Sequence, residues 1–225
     1  MPGKLFIVGT PIGNLEDITF RAVRVLREAD VVAAEDTRRT GVLLAHFDIH
    51  KPMVSCHEFN EARRAAELLQ KLHDGARVAM VSDAGMPTLS DPGLRLVRAA
   101  LEAGIAVEIV PGPSAITAAL AGSGLAPEPF LFYGFLPHKS AQRRKVLATL
   151  EPLHWTLVFF ESPYRVVKSL TDIREVLGNR RVVLARELTK KFEEFARGDL
   201  DGLLKMLENR AIKGEITLVI EGHCK

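Results

Sequence analysis

The sequence predicts an α/β protein made of two α/β domains with a cleft between them, the N-terminal sheet mainly parallel and the C-terminal sheet mixed. Three observations carry this expectation. Short apolar runs bounded by turn residues alternate with stretches of helical period along the chain. Strands separated by helices of this length need crossover connections, which favour parallel pairing and right-handed βαβ units. The stretch Ala121–Pro129 collects Gly122, Ser123, Gly124, Pro127 and Pro129 and reads as a linker, dividing the chain into residues 1–120 and 121–225.

In the first part, Leu5–Val8 reads as a buried strand and Arg21–Ala29 as an amphipathic helix with Ala22, Val23, Val25 and Leu26 inward. Val31–Ala34 is a strand, Thr40–Phe47 a helix and Met53–Cys56 a short strand. Glu58–His73 is a polar helix with Ala62, Ala65, Ala66, Leu69 and Leu72 on one side, and Arg77–Val81 is an apolar strand. Pro92–Ala103 reads as a helix capped by Asp91 and closed by Gly104, followed by the strand Ile105–Val110. In the second part the expected order is strand Phe130–Tyr133, basic helix Ser140–Leu150 and strand Thr156–Phe160. Helix Tyr164–Leu177, strand Arg181–Ala185, helix Leu200–Arg210 and strand Ile216–Ile220 complete it.

Composition sets outer bounds. With 47% apolar, 26% charged and 6% aromatic residues, the chain has an ordinary globular balance, which excludes bulk disorder, collagen-like repeats and a coiled coil. No apolar run approaches the roughly 18 residues needed to span a bilayer, and Met1–Leu5 passes into a strand without a signal-peptide pattern. Cys56 and Cys224 are too few for a disulfide framework, so the expected location is a reducing cytoplasm. Residues 1–122 carry net −2 and residues 123–225 net +4, an asymmetry that would suit a C-terminal half meeting a polyanion.

Elimination narrows the chemistry. The chain has no G-x-x-x-x-G-K-[ST], H-E-x-x-H, G-x-S-x-G or C-x-x-C, and its histidines show no ligand spacing, so no metal is expected. Gly9–Leu15 follows the first strand with a G-x-x-x-G spacing interrupted by Pro11. Asn14–Ile18 delays the helix that a dinucleotide fold would set against a pyrophosphate, which argues against NAD despite Glu35 at the end of the second strand. Three more loops fall on the same sheet edge: Glu35–Arg39, Ser82–Gly93 and Val110–Ala115. Each read alone is a turn or a helix cap. Gathered at the C-terminal edge of a parallel sheet, with prolines and glycines fixing their shapes, they favour a small-molecule pocket.

The segments G-T-P-I-G-N-L-E-D-I-T, E-D-T-R-R-T, S-D-A-G-M-P-T-L-S-D-P-G and V-P-G-P-S-A together resemble the tetrapyrrole-methylase-like (class III) S-adenosylmethionine methyltransferases. The resemblance runs from Lys4 to Gly222 and includes F-Y-G-F-L-P-H-K, F-F-E-S-P-Y-R and G-E-I-T-L-V-I-E-G. It is similar in particular to the bacterial 16S rRNA cytidine-2′-O-methyltransferase group of that family. The resemblance implies S-adenosyl-L-methionine as cofactor, folded between the domains. Pro11, Leu15, Asp83, Ala84, Gly85, Met86, Gly112, Ser114 and Ala115 would line it, and Leu188, beside Glu187, would close over it. It further implies transfer of a methyl group to the ribose 2′-oxygen of a cytidine, cytidine-1402, of 16S rRNA within the 30S subunit, by a homodimer. Many members continue past the final strand, so RNA contacts supplied by such a segment are not expected of these residues.

For RNA, Lys139, Arg143, Arg144 and Lys145 form a run without an intervening acid, and guanidinium groups suit phosphate oxygens. A second basic stretch spans Arg180–Lys191. Arg38, Tyr164 and Arg165 are candidates to position the nucleotide, and Glu161, Asp36 and Glu187 to take the proton of the 2′-hydroxyl. For each of these, a helix cap or a salt bridge is the competing reading. Two other functions fit the same pattern: a methyltransferase of this fold acting on a tetrapyrrole or a protein residue, and an RNA-binding module without catalysis.

Overall fold

A computed structural model describes residues 3–208 and 210–223, and Cys224 of the cysteine argument lies outside them. Two compact units divide between Ser114 and Ala115.

In the first unit, strands β1 (Lys4–Val8), β2 (Val31–Ala34), β3 (Met53–Ser55), β4 (Arg77–Val81) and β5 (Ala106–Val110) form one sheet in the order β3-β2-β4-β1-β5. Every pairing in it is parallel. Helices α1 (Phe20–Glu28), α2 (Thr37–His46), α3 (Glu61–His73) and α4 (Leu94–Glu102) connect the strands. Strand residues alternate between two cores because successive side chains leave opposite faces. Phe6, Val8, Ala79 and Val81 join Val25 and Leu26 of α1 and Leu44 of α2. Leu5, Ile7, Val78 and Met80 join Leu68 and Leu72 of α3 and Leu96 of α4. The sheet is therefore buried on both sides, as continuous apolar strands require.

Helix ends explain where boundaries moved. α1 buries Ala22, Val23, Val25 and Leu26 as its period demanded, and Thr19 caps it by accepting from the Ala22 N–H at 3.0 Å. α2 begins at Thr37 rather than Thr40 because Asp36 caps it. Asp91 does not cap α4. That helix starts at Leu94, and the Glu61 carboxylate of α3 accepts from the Gly93 and Arg95 N–H groups, both at 2.9 Å. The cap comes from 32 residues away, which no local pattern announces.

In the second unit, β6 (Phe130–Phe135), β7 (Thr156–Glu161), β8 (Arg181–Arg186), β9 (Glu194–Asp199) and β10 (Ile216–Ile220) form a sheet in the order β6-β7-β10-β8-β9. β6 and β7 are parallel and the other pairings antiparallel, so this sheet is mixed. Helices α6 (Ser140–Leu150), α7 (Val166–Leu177) and α8 (Leu200–Leu207) share one core with Leu157, Phe159, Leu184, Leu218 and Ile220. Helix α5 (Ala115–Ser123) packs on β10, β8 and β9, so the division falls before it and not at residue 120. α5 and β9 are the two elements not foreseen. Among the described residues no helix is long and apolar enough to cross a membrane, and Cys56 is a buried free thiol, pushed up to about 11 by burial.

Candidate functional site

The four loops singled out in the first unit do converge at the C-terminal edge of its sheet. Thr10, after β1, exchanges backbone hydrogen bonds with Gly85, after β4, at 2.9 and 3.1 Å. The Thr10 hydroxyl donates to the Ser82 carbonyl at 3.1 Å. The loops after β1 and β5 touch backbone to backbone: a Cβ on Gly9 would stand 2.7 Å from the Cα of Gly112, and one on Gly112 2.8 Å from the carbonyl carbon of Gly9. Glycine at both positions is therefore a packing requirement. Gly85 has φ +83 and lies against Ile12 and the Pro113 carbonyl. Pro11 is buried in this frame, Leu15 sits half-buried in the 3₁₀ turn Leu15–Asp17, and Ala84, Met86, Gly112 and Ser114 are half-buried.

Asp83 ties two of these loops together. Its carboxylate accepts from the Asp36 N–H at 3.1 Å and pairs with Arg39 at 3.4 Å, while its own N–H donates to the Glu35 carboxylate at 3.3 Å. Glu35 and Asp91 share the same edge. Burial raises the Glu35 carboxyl above the usual range. Burial, reinforced by repulsion from Glu35 and Asp83, pushes Asp91 up to about 6. Neither stood among the sequence-derived site residues. Their titration depends on neighbours from two loops, Glu35–Arg39 and Ser82–Gly93, whose side-chain spacing the sequence does not give even where both loops are assigned to one edge.

The three carboxylates considered as general bases are all held by cations or structural donors. Asp36 accepts from the Arg38 N–H at 2.9 Å and from its guanidinium at 3.0 and 2.6 Å, which holds its carboxyl far below the usual range. The Glu187 carboxylate accepts from Lys190 Nζ at 2.8 Å and from the Glu215 N–H at 2.9 Å, and the lysine bond lowers its pKa. Glu161, fully buried at the end of β7, accepts from the Ser162 N–H at 2.7 Å, from Arg165 Nε and Nη2 at 2.9 and 2.7 Å, and from the Ser169 hydroxyl. Glu161, so occupied, has little capacity left for a substrate proton, and the cations on Asp36 and Glu187 lower their pKa values and make them weaker bases. These geometries match the cap and salt-bridge readings.

The basic run in α6 also divides. Arg143 is 3% exposed and faces inward. Its Nε donates to Asp172 of α7 at 2.7 Å, and its Nη1 to the Pro137 and His138 carbonyls at 3.1 and 3.3 Å. It cannot reach a phosphate, which corrects its assignment to RNA. Arg144 is half-exposed and pairs with Glu175 and, at 3.9 Å, with Asp172. Lys139 and Lys145 are exposed, with no ion pair among the described residues. Of the other basic stretch, Arg180 is buried and donates to the Leu177 and Glu151 carbonyls. Arg38 and Tyr164 are exposed, and Arg165 is held against Glu161. Ala115 opens α5, and Leu188 is buried in the second unit beside Glu187.

Glycine-fitted loops, a parallel five-stranded sheet and a mixed second sheet are a combination found in known proteins. A family model described as Tetrapyrrole (Corrin/Porphyrin) Methylases matches residues 4–204. A protein named ribosomal RNA small subunit methyltransferase I from Thermotoga maritima is 51% identical over 220 residues, covering 98% of this chain and 99% of that one. Its namesake from Halalkalibacterium halodurans is 51% identical over 221 residues, covering 98% of this chain and 76% of that one. A solved structure of uroporphyrin-III C-methyltransferase from Thermus thermophilus, complexed with S-adenosyl homocysteine, shares the fold. Its TM-score is 0.65 at 21% identity, covering 96% of this chain and 97% of that one. With nine-tenths of its length matched by the family model and half its residues shared with such relatives, the chain belongs to the tetrapyrrole methylase family.

Proposed function

We propose that this protein transfers a methyl group from S-adenosyl-L-methionine to the ribose 2′-oxygen of a cytidine in the RNA of the small ribosomal subunit. The observation that carries the reading is the 51% identity, over nearly the whole chain, to proteins named ribosomal RNA small subunit methyltransferase I. The tetrapyrrole enzymes share the fold at 21% identity in the structure above, which supports fold and not substrate.

The residues at the sheet edge fit the cofactor. Glu35, Asp83 and Asp91 crowd three carboxyl groups there, two of them with raised pKa values, and such an electronegative edge suits a cationic ligand. Asp83 would accept from a hydroxyl or amino group, since a carboxylate offers about four acceptor positions and two donors meet this one. Leu15 and Met86 offer apolar surface to a purine, and the backbone groups of Ala84, Gly85, Gly112 and Ser114 offer polar atoms at fixed positions. S-adenosylmethionine, when bound, supplies a methyl group already activated on a sulfonium. The protein's own work is therefore alignment of the acceptor oxygen more than activation. Lys139 and Lys145 meet phosphate, and Glu161 orients Arg165. Asp36 and Glu187 anchor loops.

Transfer of labelled methyl from S-adenosylmethionine tests the reading, with undermethylated 30S subunits, naked 16S rRNA and a tetrapyrrole offered side by side. Label in either RNA sample and none in the tetrapyrrole is the expected pattern. Label confined to the tetrapyrrole, or no label beside normal cofactor binding, overturns it.

A further inference from the structure

The second unit carries a depression beside Arg165 to which the proposed function assigns no ligand. Phe135 at the end of β6, His138 after it, and Ser162, Tyr164 and Arg165 between β7 and α7 line a cavity of about 470 Å³. Its size is that of a small-molecule site.

Two features point to what it takes. Tyr164 is 92% exposed and Phe135 53%, so two aromatic rings stand largely in water where each strand gives way to the next element. Rings placed so are stacking surfaces for a planar ligand. Arg165 supplies the polar contact. Its Nε and Nη2 are fixed on the buried Glu161 carboxylate, while Nη1 is buried with no hydrogen-bond partner among the described residues. A buried donor left without an acceptor is unfavourable, and a ligand that supplies the acceptor relieves it.

Charge selects among ligands. The Arg165 guanidinium is already answered by Glu161, so the pair is formally neutral and offers a directed N–H more than a net positive charge. That favours a neutral acceptor over a phosphate. A pyrimidine presents a carbonyl oxygen, and in cytosine also a ring nitrogen, on a flat edge. Unstacked RNA bases are commonly read by aromatic faces together with hydrogen bonds to that edge.

We infer that this depression receives the unstacked pyrimidine base of the target nucleotide. Phe135 and Tyr164 stack on it, and Arg165 Nη1 donates to its acceptor edge. Glu161 is a positioning residue that fixes the guanidinium. The inference rests on the ribosomal RNA reading, and the test separates the two.

The full-length protein is titrated with 5-fluorocytidine and followed by ¹⁹F NMR. In parallel, kcat/KM for undermethylated 30S subunits and the Kd for S-adenosylmethionine are measured for wild type, Tyr164→Ala, Tyr164→Phe and Phe135→Leu. Tyr164→Ala and Phe135→Leu are expected to lower kcat/KM by about 10- to 100-fold, the range of one base–aromatic stack, and to abolish the ¹⁹F shift. Cofactor Kd stays unchanged, and Tyr164→Phe restores both readouts because stacking needs the ring and not the hydroxyl. An active wild type whose Tyr164→Ala and Phe135→Leu variants stay within twofold overturns the inference. So does a ¹⁹F shift that Tyr164→Ala leaves intact, or no shift at all. A wild type that binds 5-fluorocytidine in a Tyr164-dependent way, yet methylates neither 30S subunits nor naked 16S rRNA, supports the pocket and overturns the ribosomal reading.

Discussion

Replacing Arg143 by methionine should destabilise the second unit strongly and leave RNA contacts alone. Arg143 and Asp172 join α6 to α7 through an almost fully buried ion pair, 2.7 Å from Nε and 2.5 Å from Nη2. In Arg143→Met the Asp172 carboxylate stays buried with the Ser140 hydroxyl at 2.9 Å and Arg144 at 3.9 Å as its remaining partners. The Pro137 and His138 carbonyls also lose their donor. Breaking one side of a buried pair costs about 3–5 kcal/mol, because the partner charge is left uncompensated in low dielectric. Removing both charges in Arg143→Met/Asp172→Leu should recover most of it, to within about 1 kcal/mol of wild type, since well-packed apolar groups often replace such pairs without loss. Trp155 is the single tryptophan and precedes β7, so its fluorescence in a urea titration reports this unit. A single variant within about 1 kcal/mol of wild type, or a double variant whose loss is the sum of the singles, would show that the pair does not hold α6 to α7.

Three other perturbations follow from the geometry. Gly112→Ala places a Cβ 2.8 Å from the Gly9 backbone, so the loops after β1 and β5 must separate, and calorimetry should show cofactor affinity at least tenfold weaker; an unchanged Kd would detach this contact from the site. Asp91 holds its proton more tightly when folded, with a pKa of about 6 against an ordinary 3.8, so its ionisation destabilises the fold as pH rises through that window. Asp91→Asn should therefore stabilise the protein at pH 7 by about 1 kcal/mol, after allowance for partial exposure, and have no effect near pH 4; equal gains at both pH values would contradict the assigned cause. Lys139→Gln/Lys145→Gln should lower the slope of log affinity for 30S subunits against log salt by about 1.4 to 1.8, and lines parallel to wild type would remove both lysines from the RNA surface.

What could be read from the chain alone follows a physical divide. The α1 face was legible because Ala22, Val23, Val25 and Leu26 repeat at helical spacing against charged neighbours. Helix α5, A-I-T-A-A-L-A-G-S, has small or apolar residues all round and so no period to read. β9 is an edge strand whose E-F-A-R-G-D sequence looks like a solvated loop, since only β8 pairs with it. The four loops and their common edge were legible because strand order in a parallel sheet puts every β-to-α loop on one side. Roles of individual charges were not. Arg143 reads as one of four surface cations until Asp172, 29 residues on, is seen to bury it. Glu161 and Asp36 read as bases until Arg165 and Arg38 are seen to occupy them.

The chemical position of the transferred methyl group decides the proposed function. Undermethylated 30S subunits are incubated with the protein and S-adenosylmethionine, and their 16S rRNA is digested to nucleosides and analysed by mass spectrometry against an enzyme-free control. One new 2′-O-methylcytidine per subunit is expected, with the mass gain on the ribose fragment and absent when Gly112→Ala replaces wild type at limiting cofactor. A methyl group on the base fragment, or on any nucleoside other than cytidine, would contradict it.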